Sequence, residues 1–270
     1  MNNRYLLCSF LLLIWIVFIS SCGTKKESLG LEIKEPEELN IIQKNEQLKP
    51  NYLDLSKKLI QKGYYEIALN NLKKLSSSHE KDPEVFYLIG LCESKLHKYK
   101  DAERSFLKVL SLNKQCARAY NQLGLLYDLE KRHNQATKMY EQAISLNPAR
   151  PEFYNNLGYN LLILKKIKKA KECFLKALAI DPANKKAINN LAFSYILLGE
   201  EKNAFVLLKK LYPTPVVYYN LGVLYEVMGR WEMAYKMYKK SFDMDPRLKK
   251  DKHLALLEEK IKKTLKGNKK

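Results

Sequence analysis

The chain of 270 residues is poor in the residues that build turns, disulfides and metal sites. It contains only 10 Gly and 9 Pro, too few for the frequent turns of an all-β fold. Five Cys exclude a disulfide-rich miniprotein, and four scattered His argue against a His-rich metal site. The sequence has no glycine-rich phosphate loop, His-x-x-x-His pair or nucleophile elbow. It therefore predicts a protein that is not an enzyme and that holds no metal and no cofactor.

The longest uncharged stretch lies at the N-terminus. Residues 5–24 carry no charge, Arg4 precedes them and Lys25 follows. A positive start followed by an apolar run is typical of an export signal. Twenty uncharged residues can also span a bilayer as a helix. Residues 19–22, which read Ile-Ser-Ser-Cys, favour the export signal.

Residues 19–22 resemble the bacterial lipobox, in which a branched apolar residue and two small residues precede a cysteine. The resemblance implies a signal peptide of residues 1–21 and a covalent lipid on Cys22. Residues 22–48 are then the lipidated cysteine and a flexible tether. Because Gly23 follows the cysteine, the chain is similar to Gram-negative lipoproteins of the outer membrane that face the periplasm. The alternative is an uncleaved signal anchor that ends in a chance cysteine.

Three cysteines remain beyond the leader: Cys92, Cys116 and Cys173. Their spacing does not match that of metal ligands. We interpret them as buried small apolar residues.

A repeat of 34 residues fills the rest of the chain. Six alanines each have a large apolar residue four positions later and a small residue twelve positions earlier. The alanines are Ala68, Ala102, Ala136, Ala170, Ala204 and Ala234. The small residues are Ser56, Gly90, Gly124, Gly158, Ala192 and Gly222. This spacing predicts two helices per repeat, with the small residue allowing the second helix to approach the first.

The pattern resembles the tetratricopeptide repeat, which implies an all-α solenoid of six helix-turn-helix units with a C-terminal capping helix. Such units bury their apolar faces by stacking on one another. We expect repeats 1–6 to cover 49–82, 83–116, 117–150, 151–184, 185–214 and 215–248. Residues 249–270 are expected to form a basic capping helix and tail. Repeat 5 is four residues short, where Pro213 and Pro215 are expected to end its second helix early.

The resemblance assigns the first helix of each repeat to a concave face that binds partners. From repeat 3 onward the ninth and thirteenth positions are apolar, and asparagines occupy the fifth or sixth. An asparagine side chain offers a donor and an acceptor to an extended peptide. The predicted peptide-binding residues are Asn121, Leu125, Asn155, Asn156, Tyr159, Asn189, Asn190, Phe193, Asn220 and Val223. Two alternatives remain open: the asparagines brace adjacent helices, or the apolar positions are filled by the chain itself.

The charge balance is strongly basic, with 48 Lys and Arg against 29 Asp and Glu, a net charge of +19. Part of it clusters at Lys165, Lys166, Lys168, Lys169 and Lys171. Such a cluster suits nucleic acid, anionic lipid or an acidic cell-wall polymer, or is simply a solvated face. Because an exported protein meets little nucleic acid, we expect no nucleic-acid partner.

These features favour a membrane-anchored adaptor or assembly scaffold that binds proteins or peptide segments. The chain is similar to the TadD-like lipoproteins of tight-adherence (Flp) pilus assembly through residues 155–158, 188–192 and 219–222. The resemblance implies partners among secretin or pilus components, and a role in assembling a pilus or secretion complex. The alternatives are a type IV pilus lipoprotein that helps secretin rings assemble, an adaptor for peptidoglycan hydrolases, and a basic module that binds anionic cell-wall polymer or lipid.

Overall fold

The computed structural model describes residues 52–248 and 253–267, with side chains of the last helix described over 254–262. All regular structure in these residues is helical, which confirms the predicted all-α fold. The helices are α1 Tyr52–Lys62, α2 Tyr65–Ser76, α3 Pro83–Lys95, α4 Tyr99–Leu112, α5 Ala117–Leu129, α6 His133–Leu146, α7 Pro151–Ile163, α8 Ile167–Ile180, α9 Lys185–Leu197, α10 Glu201–Leu208, α11 Thr214–Val227, α12 Trp231–Met244 and α13 His253–Gly267, with a 3₁₀ helix at Pro246–Leu248. The predicted signal peptide, Cys22 and the tether lie outside the described residues.

The helices pair in the order that the repeat predicts. Each repeat contributes a first helix, called helix A (α1, α3, α5, α7, α9 and α11), and a second, called helix B (α2, α4, α6, α8, α10 and α12). Local signals set where helices A begin. Pro83 and Pro151 occupy the first turns of α3 and α7. The side chain of Asn184 caps α9 by accepting a hydrogen bond from the Ala187 backbone N–H at 3.1 Å.

The described residues form two compact bodies. The N-terminal body covers 52–148 and holds repeats 1–3, with Leu72, Phe106 and Leu123 in its core. The C-terminal body runs from 149 through α13, with Phe174 and Leu191 among its fully buried side chains. The buried apolar side chains of the described residues all lie between positions 59 and 257.

Within a repeat, a glycine on helix A meets an aromatic ring on helix B. A Cβ atom added to Gly158 would lie 2.6 Å from Cε1 of Phe174, and one added to Gly124 would lie 2.5 Å from Cε1 of Tyr140. Gly90 with Phe106 and Gly222 with Tyr238 repeat this arrangement. The glycines therefore leave the space that the rings fill.

Repeats 1 and 5 fill the same space with different residues. Helix A carries Ser56 or Ala192 in place of glycine, and helix B carries Leu72 or Leu208 in place of an aromatic residue. All four residues are fully buried. A larger residue on helix A thus accompanies a smaller one on helix B.

The turn from helix A to helix B contains one residue in the left-handed region in every repeat. It is Gly63, Gly199 or Gly229 in repeats 1, 5 and 6, and His97, Lys131 or Lys165 in repeats 2, 3 and 4. The three non-glycine residues have φ of 60°, 61° and 60°. A side chain in this region costs about 1–2 kcal/mol. We infer that packing of the two helices imposes the turn.

Repeat 5 has the shortest helix B among the described repeats. Helix α10 has 8 residues and ends at Leu208. Pro213 is the N-cap of α11 and Pro215 lies in its first turn. Helix B of repeat 5 therefore ends early, as predicted, but it stops before the prolines, which begin helix A of repeat 6 instead.

Helix α13 packs on α12 at the end of repeat 6. Leu257 is fully buried there. The Tyr235 hydroxyl donates a hydrogen bond to Oε1 of Glu258 at 2.9 Å, and Nζ of Lys260 lies 4.4 Å from the centroid of the Trp231 ring. Helix α13 thus covers apolar surface of the last repeat.

Cys92, Cys116 and Cys173 form no disulfide with one another, and only Cys92 is fully buried. Burial raises the pKa of the Cys92 thiol to about 12, so this thiol is inert near neutral pH. Cys116 and Cys173 are partly exposed. The interpretation as buried apolar residues therefore holds in full for Cys92 and in part for Cys116, which packs against the core of the N-terminal body. Cys173 lies within α8 and is only partly buried.

The N-terminal body buries one carboxyl group, that of Glu93 on α3. The Ser105 hydroxyl donates a hydrogen bond to Oε2 of Glu93 at 2.7 Å, and Nζ of Lys73 lies 3.9 Å from Oε1. Burial raises the pKa of Glu93, and these two partners only partly oppose the rise. The folded state therefore holds this proton to a higher pH than the unfolded chain does.

We expect Glu93→Gln to remove a pH-dependent loss of stability. With a raised folded pKa, the contribution of Glu93 is fully present below its unfolded pKa and is lost as the pH rises through the folded value. Glutamine keeps an acceptor for Ser105 without a charge. Urea unfolding from acidic to neutral pH should show a flatter profile for the variant and equal or greater stability at neutral pH. Glu141→Gln, at an exposed position on α6, is the control. An unchanged slope for Glu93→Gln would contradict the prediction.

Candidate partner-binding face

The predicted apolar floor, at the ninth position of each repeat, is exposed in part. Leu125 on α5 is partly exposed in the N-terminal body, and Tyr159 on α7 is partly exposed in the C-terminal body. Phe193 on α9 and Val223 on α11 are buried, with 5% and 8% of their surface exposed. Leu125 and Tyr159 are therefore more accessible to a partner than Phe193 and Val223 are.

The thirteenth position carries apolar residues that are more accessible. Leu129 on α5 is exposed, and Ile163 on α7, Leu197 on α9 and Val227 on α11 are each partly exposed. All four lie one turn beyond the ninth position, on the same side of helix A. The accessible apolar track of the C-terminal body is formed by Tyr159, Ile163, Leu197 and Val227, and we call it the helix-A track.

The six predicted asparagines are all at least half-buried. Asn121, Asn155 and Asn220 are buried, and Asn156, Asn189 and Asn190 are half-buried. Nδ2 of Asn190 donates a hydrogen bond to Oδ1 of Asn155 at 2.9 Å, which joins α9 to α7. This pair fits the bracing alternative. Whether the asparagines also bind a peptide stays a prediction.

The N-terminal body uses the same two positions for bracing. Tyr87, at the fifth position of repeat 2, is hydrogen-bonded to Gln122, at the sixth position of repeat 3. Burial raises the pKa of the Tyr87 hydroxyl, and the guanidinium of Arg118, 4.5 Å from the ring, opposes the rise. Polar residues at these positions therefore join neighbouring helices A in both bodies.

Asn189 on α9 has a partly satisfied side chain. Its Nδ2 donates to the Tyr212 hydroxyl at 3.3 Å. Its Oδ1 is buried and has no hydrogen-bond partner among the described residues. Tyr212 lies in the connection between α10 and α11, so this contact ties the shortened end of repeat 5 to helix A of the same repeat.

Two hydrogen-bonded pairs that the sequence reasoning missed join helix B to helix A. The Tyr140 hydroxyl donates to Oδ2 of Asp128, and the Tyr238 hydroxyl donates to Oε2 of Glu226, both at 2.9 Å. Burial raises the pKa of Tyr238, and the nearby Glu226 carboxylate adds to the rise. In the sequence, both pairs are recognisable as an acidic residue twelve positions before a tyrosine. These contacts stabilise single repeats and leave the helix-A track as the candidate site.

The described residues offer neither a cluster of metal ligands nor a membrane-spanning helix. No group of three or more His, Cys, Asp or Glu side chains is placed there to hold a metal ion. Among the described helices, none combines the length and the hydropathy needed to cross a membrane.

The sequence pattern of the tetratricopeptide repeat matches residues 83–116, 117–149, 151–184 and 215–248, which together make up half of the chain. The chain belongs to the tetratricopeptide-repeat family. The four matches fall on the repeats that pair glycine with an aromatic ring. A comparison with curated proteins finds no match.

Solved structures with similar folds include three repeat proteins. PilF of Pseudomonas aeruginosa is 21% identical over 72% of this chain and 90% of its own, with a TM-score of 0.59. MamA of Desulfovibrio magneticus is 27% identical over 59% of this chain and 90% of its own, with a TM-score of 0.53. YrrB, described as a tetratricopeptide-repeat protein with an unusual peptide-binding site, is 23% identical over 70% and 97%, with a TM-score of 0.54. The likeness to PilF and YrrB shows the fold alone. A tetratricopeptide-repeat array is in general a scaffold for protein interactions.

Proposed function

We propose that this tetratricopeptide-repeat protein is a lipid-anchored adaptor of the outer membrane. Its helix-A track binds a segment of a partner protein during assembly of a pilus or secretion complex. The observation that carries the proposal is the helix-A track itself, which leaves apolar side chains partly exposed on three successive helices A. Contiguous exposed apolar surface is uncommon unless a partner covers it.

Polar groups accompany the track on each helix. Asn156 precedes Ile163 by seven residues, as Asn190 precedes Leu197 and Asn220 precedes Val227. Residues seven apart lie on one side of a helix, two turns apart. A segment that crosses these helices thus meets an apolar contact and an amide-bearing region in each repeat.

The expected affinity is modest. Full burial of an aliphatic side chain contributes about 1.5–3 kcal/mol, and these side chains are already partly buried in the free protein. A backbone hydrogen bond adds about 0.5–1.5 kcal/mol net. After the cost of association, three or four such contacts give binding in roughly the micromolar range.

The partner-binding part of the proposal predicts that Ile163→Ala combined with Tyr159→Ala lowers partner capture about tenfold or more. Cross-linking in membranes of producing cells, followed by mass spectrometry, measures capture. Leu107→Ala is the control, because Leu107 is also apolar and exposed but lies on helix B of repeat 2. Equal capture by all variants, with unchanged helical circular dichroism, would exclude the helix-A track as the binding face. Recovery of secretin or pilus components supports the proposed assembly role, and recovery of peptidoglycan hydrolases favours the alternative adaptor role.

The anchoring part predicts that Cys22→Ser leaves an unprocessed precursor and abolishes labelling by a radioactive fatty acid. The basis is the lipobox resemblance of residues 19–22, in which the thiol is the only group that receives the lipid. Cys8→Ser, within the same leader, is the control and should be processed and labelled like the wild type. Wild-type protein that retains residues 1–21 and incorporates no acyl chain would refute lipid anchoring.

A further inference from the structure

The basic charge of the chain is concentrated in its C-terminal part. Residues 149–270 contain 26 Lys and Arg and 12 Asp and Glu, a net charge of +14. Residues 1–148 contain 22 Lys and Arg and 17 Asp and Glu, a net charge of +5. A surface that carries the excess positive charge is therefore to be sought on the C-terminal body.

Helices B of the C-terminal body present that surface. Their exposed lysines are Lys168, Lys169 and Lys176 on α8, Lys202 on α10, Lys209 and Lys210 directly after it, and Lys236, Lys239 and Lys240 on α12. The exposed acids on these helices are Glu172, Glu201, Glu232 and Asp243. None of the nine lysines forms an ion pair with a described residue, whereas Lys171 on α8 pairs with Glu200 at 2.8 Å. Nζ of Lys240 lies 5.3 Å from the centroid of the Tyr218 ring. The other eight ammonium groups are thus available to an external anion.

Apolar side chains are exposed among these lysines. Leu175, Ile180, Val206 and Met244 leave 43%, 39%, 63% and 54% of their surface in water. Ile180 follows Lys176 by four residues, Val206 follows Lys202 by four, and Met244 follows Lys240 by four. Residues four apart lie on one side of a helix. Each helix B therefore places an apolar group one turn away from a lysine.

We propose that this outer face of α8, α10 and α12 binds the surface of an anionic lipid bilayer. Lysines near such a surface gain electrostatic energy from the acidic headgroups. Apolar side chains between them gain by entering the boundary between headgroups and acyl chains. A soluble polyanion offers the electrostatic interaction but no apolar boundary. The exposed apolar residues therefore favour lipid over an acidic polymer. The face lies on helices B and needs neither the covalent lipid on Cys22 nor a partner on the helix-A track.

The test uses residues 23–270, which contain all the buried apolar side chains that the structure describes. Sedimentation with phosphatidylcholine vesicles, with and without phosphatidylglycerol, measures binding. We expect binding only to vesicles that contain phosphatidylglycerol. Lys176→Gln, Lys202→Gln and Lys239→Gln together should weaken it about a hundredfold, since each lysine contributes about fivefold.

The matched control removes the same charge from the N-terminal body. Lys74, Lys108 and Lys138 are exposed on α2, α4 and α6, and their combined change to Gln should alter binding less than about twofold. An equal loss for both triple variants would mean that net charge alone drives binding, and would overturn the proposal. Absence of binding to phosphatidylglycerol vesicles would overturn it as well.

A second variant separates lipid from polymer. Val206→Ser with Met244→Ser should weaken vesicle binding about fivefold or more by removing exposed apolar area, and should leave binding to soluble polyglutamate unchanged. Both residues are exposed, so circular dichroism should show the wild-type fold. If the double variant binds vesicles as well as the wild type does, and polyglutamate displaces both equally, the face binds acidic polymers and the lipid proposal fails.

Discussion

Replacing Phe193 by alanine is expected to lower the free energy of unfolding by about 3–5 kcal/mol. The ring leaves only 5% of its surface exposed, on a helix packed against its neighbours on both sides. Its removal forfeits the burial of an aromatic side chain and leaves a cavity that the repeat only partly closes. Urea or thermal unfolding of the C-terminal body measures the loss.

Tyr159→Ala is the matched comparison, because it truncates an aromatic residue at the same repeat position that is partly exposed. We expect it to cost clearly less stability than Phe193→Ala. An unchanged melting temperature for Phe193→Ala, together with lost partner capture, would identify Phe193 as a binding residue that becomes accessible on binding.

Replacing Gly158 by alanine is expected to destabilise the fold by about 1–3 kcal/mol through overpacking. The added Cβ would lie 2.6 Å from Cε1 of Phe174, so the ring or helix α8 must shift. Repeats 1 and 5 indicate which second change would relieve the overpacking, since a side chain on helix A occurs there with leucine on helix B. Gly158→Ala combined with Phe174→Leu should therefore cost less than the sum of the two single changes.

The double-mutant cycle measures this coupling, which we expect to be about 0.5–3 kcal/mol in favour of the double variant. Gly158→Ala with Leu175→Ala is the control cycle, because Leu175 adjoins Phe174 in sequence and is exposed. That cycle should be additive. Additivity in both cycles would show that the glycine is not required by the aromatic ring.

The sequence predicted the repeat architecture because its signals are local and recur. Pro83, Ala117, Pro151 and Lys185 each begin a helix A where the 34-residue spacing places it. The close approach of the two helices was also predictable, since the small residue and the large one lie sixteen residues apart in every repeat. Both features depend on contacts within one repeat.

Contacts between repeats were harder to predict. The ninth position is apolar at Leu125, Tyr159, Phe193 and Val223, yet only the first two are appreciably exposed. The exposed and the buried members of this set are all apolar, so the sequence pattern does not indicate which of them neighbouring residues cover. The amide pair Asn155 and Asn190 presented a similar ambiguity, because an asparagine suits another asparagine as well as it suits a peptide.

The short helix α10 has a consequence for cooperativity. Of its residues only Ala204 and Leu208 are buried, whereas α8 buries Ala170, Phe174 and Ala177. In a linear array each repeat is held only by its neighbours, so within the C-terminal body the array is expected to open with least free energy at α10, the helix B that buries the fewest residues. Repeat 6 and α13, which contain Trp231, are then able to detach while repeat 4 stays helical. Tryptophan fluorescence and backbone circular dichroism would report different transitions, and a single melting temperature would not describe the molecule.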